Sequence, residues 1–192
     1  MKLEVQTRTT GKKGETNKLR REGNIPAILY GVNVPGIPVH VKGDEIKAIL
    51  RNIQPGLLAT TLFELVEPGH NKRHKAIIKE IQYNVASYEV EHIDFALVTE
   101  SQPVTVNVSV RIVGAAECVG VKLGGFLRQV VRRVKVSCLP KHIPQELTID
   151  VRELNVGQSK TLADIAIPAH VTPVAADLSG VVVVVGKKAG TA

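Results

Sequence analysis

Along most of this chain apolar and polar side chains alternate at a period of two, the mark of strands with one buried face. Leu3-Glu4-Val5-Gln6 opens the series, and Ala27-Ile28-Leu29-Tyr30-Gly31 follows as a more continuously apolar strand ending on a turn glycine. A loop across residues 35–38 gives way to a short strand at Val39-His40-Val41. Residues 58–66 and 75–83 read as two arms of a long hairpin that reverses through Pro68-Gly69-His70-Asn71, and residues 87–95 as one more strand. Two short segments break the alternation. Thr16 holds the position of an N-cap for a helix over residues 17–22 that Gly23 closes. Gly43-Asp44 caps a second helix over about residues 45–51, with Ile46, Ile49 and Leu50 on its buried face.

The stretch Thr99-Glu100-Ser101-Gln102-Pro103 is polar and ends in proline; five of the six aromatic residues precede it, and only Phe126 follows. It predicts a boundary between two units, residues 1–95 and residues 96–186, with residues 187–192 as a flexible tail. Strict alternation returns in Val104-Thr105-Val106-Asn107-Val108-Ser109-Val110, and shorter strand patterns recur at residues 135–139, 146–151, 159–162, 170–173 and 181–185. From Gly125 onward, Phe126, Leu127, Val130, Val131 and Val134 share one face at helical spacing, which predicts one amphipathic helix in this unit. The fold class is therefore mainly β, in two units.

Composition agrees. Hydrophobic residues make up 44% and aromatics only 3%, with no tryptophan, so the core must be assembled from Val, Ile, Leu and Ala. The first six residues carry no apolar run of the kind a secretion signal needs, and residues 181–185, the longest wholly apolar stretch, are too few to span a bilayer. These features predict a cytoplasmic protein without a membrane partner. Cys118 and Cys138 stand apart without metal-ligand spacing and read as two buried free thiols.

A net charge of +7 suits a polyanionic partner, though charge alone does not name it. Its distribution says more. Arg8, Lys12, Lys13, Lys18, Arg20 and Arg21 face only Glu15 and Glu22 between residues 8 and 24, a local cationic footprint fit for phosphates and equally compatible with a solvated turn. The glycine-rich phosphate loop of nucleotidases is absent. His92 and Asp94 share one strand face, with Gln82 upstream. Such a pair could serve a catalytic triad, a metal site or a plain surface. The first lacks a nucleophile in recognisable context and the second lacks further ligands at sensible spacing. A carboxylate beside a basic patch makes sense for RNA if it accepts hydrogen bonds from base amino groups. Arg128, Arg132, Arg133 and Lys135 form a second basic group, readable as an RNA-facing patch or as the wet face of the predicted helix.

The segments Gly14-Glu15-Thr16-Asn17-Lys18-Leu19-Arg20-Arg21, Ile25-Pro26-Ala27-Ile28-Leu29-Tyr30-Gly31, Glu80-Ile81-Gln82 and His92-Ile93-Asp94-Phe95 together resemble the bacterial large-subunit ribosomal protein family numbered twenty-five. Gly120-Val121-Lys122-Leu123-Gly124-Gly125-Phe126-Leu127 and Cys138-Leu139-Pro140-Lys141-His142-Ile143-Pro144 resemble the extension of its long form, also known as the CTC family of general stress proteins. The resemblance spans essentially the whole chain. It implies an N-terminal closed β-barrel with short helices, followed by a second β-rich domain. It also implies binding of the barrel to 5S rRNA at the loop E region, whose widened minor groove offers shape, 2′-hydroxyls and base edges. By the same resemblance Arg8, Lys13, Thr16, Lys18, Arg20 and Arg21 hold phosphates and sugars, while Tyr30, Gln82, His92 and Asp94 complete the reading face. The implied partners are 5S rRNA and the large ribosomal subunit, with neighbouring ribosomal proteins as contacts of the second domain. No cofactor, small-molecule substrate or enzymatic activity is implied. A conditional stress-associated ribosome factor and a synthetase-like anticodon-binding module are the alternatives. Asn17 departs from the family where a basic residue is common, as does Tyr83-Asn84 where Arg-His often follows the glutamine. The 128–133 segment is also more basic than the family leads one to expect.

Overall fold

The computed structural model describes residues 1–8, 13–31, 34–54, 56–68, 73–174 and 178–187. Residues 9–12 of the basic loop, the hairpin tip at 69–72 and the tail beyond Lys187 lie outside the described residues. The chain divides into two compact units, Met1–Gln102 and Pro103–Ala192.

The first unit runs β1 (Lys2–Thr7), α1 (Lys13–Arg21), β2 (Asn24–Gly31), β3 (Val34–Lys42), α2 (Gly43–Asn52), β4 (Leu62–Val66), β5 (Arg73–Tyr83) and β6 (Val90–Leu97). The six strands close into a barrel in the order β1-β3-β2-β6-β5-β4. Neighbours are antiparallel except at two seams, β1 with β4 and β2 with β6, which are parallel. Closure removes the open edges a β-sheet would otherwise expose. The period-two pattern turns Leu3, Val5, Ala27, Leu29, Val39, Val41, Ile93 and Phe95 into the lumen, where Phe63 supplies bulk and α2 adds Ile46.

Local chemistry redraws several expected elements. The strand reaches back from Val39 to Val34 through two prolines, because this end of β3 pairs with β2 alone and a missing N–H there costs no ladder bond. Helix α2 starts at Gly43 rather than after it, with Lys42 at the cap position and its ammonium bridging Glu4 (3.0 Å) and Glu45 (3.3 Å). Residues 58–60 form a 3-10 turn instead of strand; the Thr60 and Thr61 hydroxyls donate to the Leu57 carbonyl. Residues 87–89 stay outside the strand, which begins at Val90, since the Asn84 side-chain oxygen accepts from the Ala86 and Ser87 amides and turns the chain at residues 85–87.

The second unit comprises β7 (Val104–Val113), α3 (Val119–Lys122), β8 (Phe126–Gln129), β9 (Arg133–Cys138), β10 (Glu146–Asp150), β11 (Ser159–Thr161), β12 (Val171–Pro173) and β13 (Val181–Gly186). A four-stranded sheet has the order β10-β7-β9-β12 and a three-stranded sheet the order β11-β13-β8. The amphipathic helix expected from Gly125 is absent: β8 and β9 occupy that span, joined by residues 130–132, which lead from the three-stranded sheet to the four-stranded one. Nine residues of i, i+3, i+4 spacing also fit two short strands joined by a brief connection, and β-branched Val134 and Val136 favour strand in β9. The short α3 sits earlier, where Gly120 passes so close to its neighbours that an added Cβ would lie 2.8 Å from a Val185 methyl and 2.9 Å from the Val156 amide nitrogen. Both cysteines are free and buried, and the Cys118 thiol donates to the Leu154 carbonyl at 3.3 Å.

Candidate nucleic-acid interface

Ile93 and Phe95 on β6 are fully buried, so His92 and Asp94 point out of the barrel. Across β5 they lie opposite Gln82 and Glu80, and across β2 Asp94 lies opposite Ile28, with Tyr30 two residues along. This alignment depends on a bulge. Between Ile78 and Glu80 the β5 register shifts by one residue, Lys79, which returns Glu80 and Gln82 to the outer side after Ile78 has faced Phe95.

His92 Nδ1 stands 2.9 Å from an Asp94 carboxylate oxygen, with both side chains about one-quarter exposed. An imidazole donating from Nδ1 leaves Nε2 for an outside partner, and the carboxylate keeps lone pairs to accept further donors. Tyr30 joins them electrostatically. Burial first, then the charges of Asp94 and Glu80, raise its phenol above the ordinary value, so its hydroxyl stays a donor.

The basic helix α1 packs on β2. Thr16 and Leu19, three apart, are its half-buried residues, whereas Lys18, Arg20 and Arg21 are exposed. Thr16 is therefore not the N-cap expected from the sequence, because the helix already begins at Lys13. The Lys13 side chain lies outside what is described. Arg20 reaches across to β6: its Nε and one terminal nitrogen donate to the Glu91 carbonyl at 3.3 and 3.1 Å, and the other donates to Asn17 Oδ1 at 3.4 Å. Lys18 is 4.0 Å from Glu22. Arg8 flanks the far side on β3, donating through Nε to the Val39 carbonyl at 3.1 Å. His40 has a buried Nδ1 with no hydrogen-bond partner; burial first, then Arg8, lower its pKa below the ordinary imidazole value, with Glu22 opposing. Arg8 and the end of α1 thus converge on β3. Strands β3, β2, β6 and β5 are consecutive in the barrel, so the sequence-derived candidates form a band across them rather than a single cluster.

Sequence reasoning missed three members. Glu80 belongs to the outer face and was detectable as the i−2 neighbour of Gln82. Glu91 contributes a carbonyl to Arg20 and a carboxylate oxygen that accepts from Asn84 Nδ2 at 2.7 Å. Nothing local marks His40. In the second unit the basic group does not share a helical face: Arg128 lies on β8, Arg132 in the connection before β9, and Arg133 with Lys135 on β9. Among the described residues no three His, Cys, Asp or Glu side chains gather as a metal site requires. No helix among them is long and apolar enough to cross a membrane.

These features define a two-unit β-protein whose barrel carries a cationic helix beside a hydrogen-bonding strand face. Residues 3–95 match the Ribosomal L25p family, and residues 103–188 match the C-terminal domain of ribosomal protein TL5. The chain is 43% identical over 188 residues to the large ribosomal subunit protein bL25 of Chlamydia caviae, covering 98% of this chain and 100% of that one. It is 42% identical over 171 residues to bL25 of Chlamydia pneumoniae, covering 89% and 91%. The chain belongs to the bL25 family of large-subunit ribosomal proteins, in its two-domain long form.

Proposed function

We propose that this protein is a structural, non-catalytic component of the large ribosomal subunit in the cytoplasm, and that its barrel binds 5S rRNA at the loop E region. The observation that carries this reading is the His92–Asp94 pair on an outward strand directly beside the residue that anchors α1, Glu91. A face with two carboxylates, an amide, an imidazole and a phenol suits base edges and 2′-hydroxyls in an open minor groove. The cations of α1, with Arg8 and Lys13, suit the flanking phosphates. Arg20 has a further task in this reading: three of its five N–H donors go to protein oxygens, so it sets the helix against the strand while adding charge.

Titration of the full chain against 5S rRNA and against loop E variants by gel shift tests the proposal. Tighter binding to the native loop supports it. Equal affinity for native and altered loops removes the specific readout, and a lack of 5S rRNA binding removes the partner.

A further inference from the structure

In the second domain β7 and β9 pair so that Thr105 stands opposite Ser137, Asn107 opposite Lys135, and Ser109 opposite Arg133 on one side of the sheet. The other side carries Val106, Val108, Val134 and Val136, all buried, so the polar row is the solvent side. None of the ion pairs among the described residues involves Arg133, Lys135, Arg132 or Arg128. No acidic residue occurs between positions 122 and 135. Arg111, the next outward position on β7, is held by Glu146 at 3.1 Å and bounds the free charge on that flank.

The chemistry of this face selects its partner. Protein interfaces draw their energy from buried aromatic and aliphatic anchors, and this row has none. Cations interleaved with hydroxyls and an amide are what phosphate and sugar oxygens take. Arg133 and Lys135 are two strand residues apart, about 7 Å, comparable to the step between successive phosphates of a nucleic-acid strand. We infer that the solvent side of β7 and β9 is a second RNA-binding surface, gripping the sugar-phosphate backbone of a helical RNA through Arg133 and Lys135 without reading sequence. Arg132, exposed and immediately before β9, adds positive charge next to Arg133 in the chain.

The test uses the full chain carrying Lys18→Gln and Arg21→Gln to weaken the barrel's own cationic face, and a short perfectly paired RNA duplex as probe. Residual duplex binding is expected in that background. Adding Arg133→Gln and Lys135→Gln should lower it at least tenfold and reduce the slope of log affinity against log salt by about two. Both side chains are exposed, so the melting temperature should not move. Duplex binding that is absent in the background, or unchanged by the second pair, overturns the inference, as does polyglutamate competing as well as RNA at equal charge. Loss of loop E discrimination by the barrel is a separate result and leaves this one standing.

Discussion

Arg20 of helix α1 and Glu91 of strand β6 are joined across 71 positions of sequence by two hydrogen bonds from one guanidinium to one backbone carbonyl. The cationic helix and the hydrogen-bonding strand are therefore one mechanical unit on the barrel wall.

That bond separates two arginines that look alike in sequence. Arg20→Lys keeps the charge but loses the fork that a guanidinium presents. It should weaken 5S rRNA binding several-fold with little change in salt dependence. Arg21→Gln, at an exposed position whose side chain makes no hydrogen bond or ion pair among the described residues, should instead reduce the salt slope by about one. Fluorescence-anisotropy titrations at a series of salt concentrations read both numbers. Identical behaviour of the two variants would show that Arg20 acts only as charge.

Asp94→Asn keeps the shape of the side chain and removes a negative charge from a face proposed to meet RNA. If the carboxylate accepts from base amino groups, discrimination between native and altered loop E should fall by about 1–3 kcal/mol, on the order of five- to 150-fold. Competition gel shifts measure the ratio directly. Tighter binding with unchanged selectivity would sink the base-reading role.

Asp150 accepts from the Arg152 guanidinium and, secondarily, from its backbone amide, and these bonds lower its carboxyl pKa to about 2. A pKa below the ordinary carboxylate value means that the ionised form favours the folded state above about pH 4, and that this contribution fades as pH falls from 4 through 2. At pH 3 the Asp150 carboxyl should be mostly ionised in the native protein and mostly protonated in Arg152→Ala. Carbon-detected NMR of the carboxyl group distinguishes the two; the same ionisation in both proteins would contradict the assigned cause.

Gly120→Ala places a methyl within van der Waals conflict of Val185 and of the 155–156 backbone. Overpacking of this kind costs about 1–3 kcal/mol, so the second domain should melt earlier while 5S rRNA affinity is retained. Calorimetry and the binding assay on the same sample check both halves. An unshifted melting profile would mean that the segment relaxes freely.

Where two neighbours in sequence decide the structure, the sequence was readable. The alternation around Ile93 put His92 and Asp94 on one outer face, and the strict run at residues 104–110 became β7. Where the deciding partner is distant, it was not. The Lys79 bulge that restores Glu80 and Gln82 to the outer face depends on pairing with β6. The strand character of residues 34–38 depends on β3 lacking a second neighbour there. The 126–134 segment misled because its apolar spacing fits helix and strand–turn–strand equally, and only the pairing of β8 with β13 and of β9 with β7 separates them. The tether from Arg20 to Glu91 leaves no local mark at all.

The two parallel seams set a timetable for synthesis. Leu3 pairs with Leu65, and Ala27 with Ile93. A chain emerging from its amino end at roughly 5–20 residues per second keeps β1 waiting about 3–12 s for the strand that seals it. A barrel of sequential hairpins would finish behind the growing end; here β1 lies against β3 early, its other edge stays open until residue 66 has been made, and the ring closes only when β6, ending at Leu97, reaches β2.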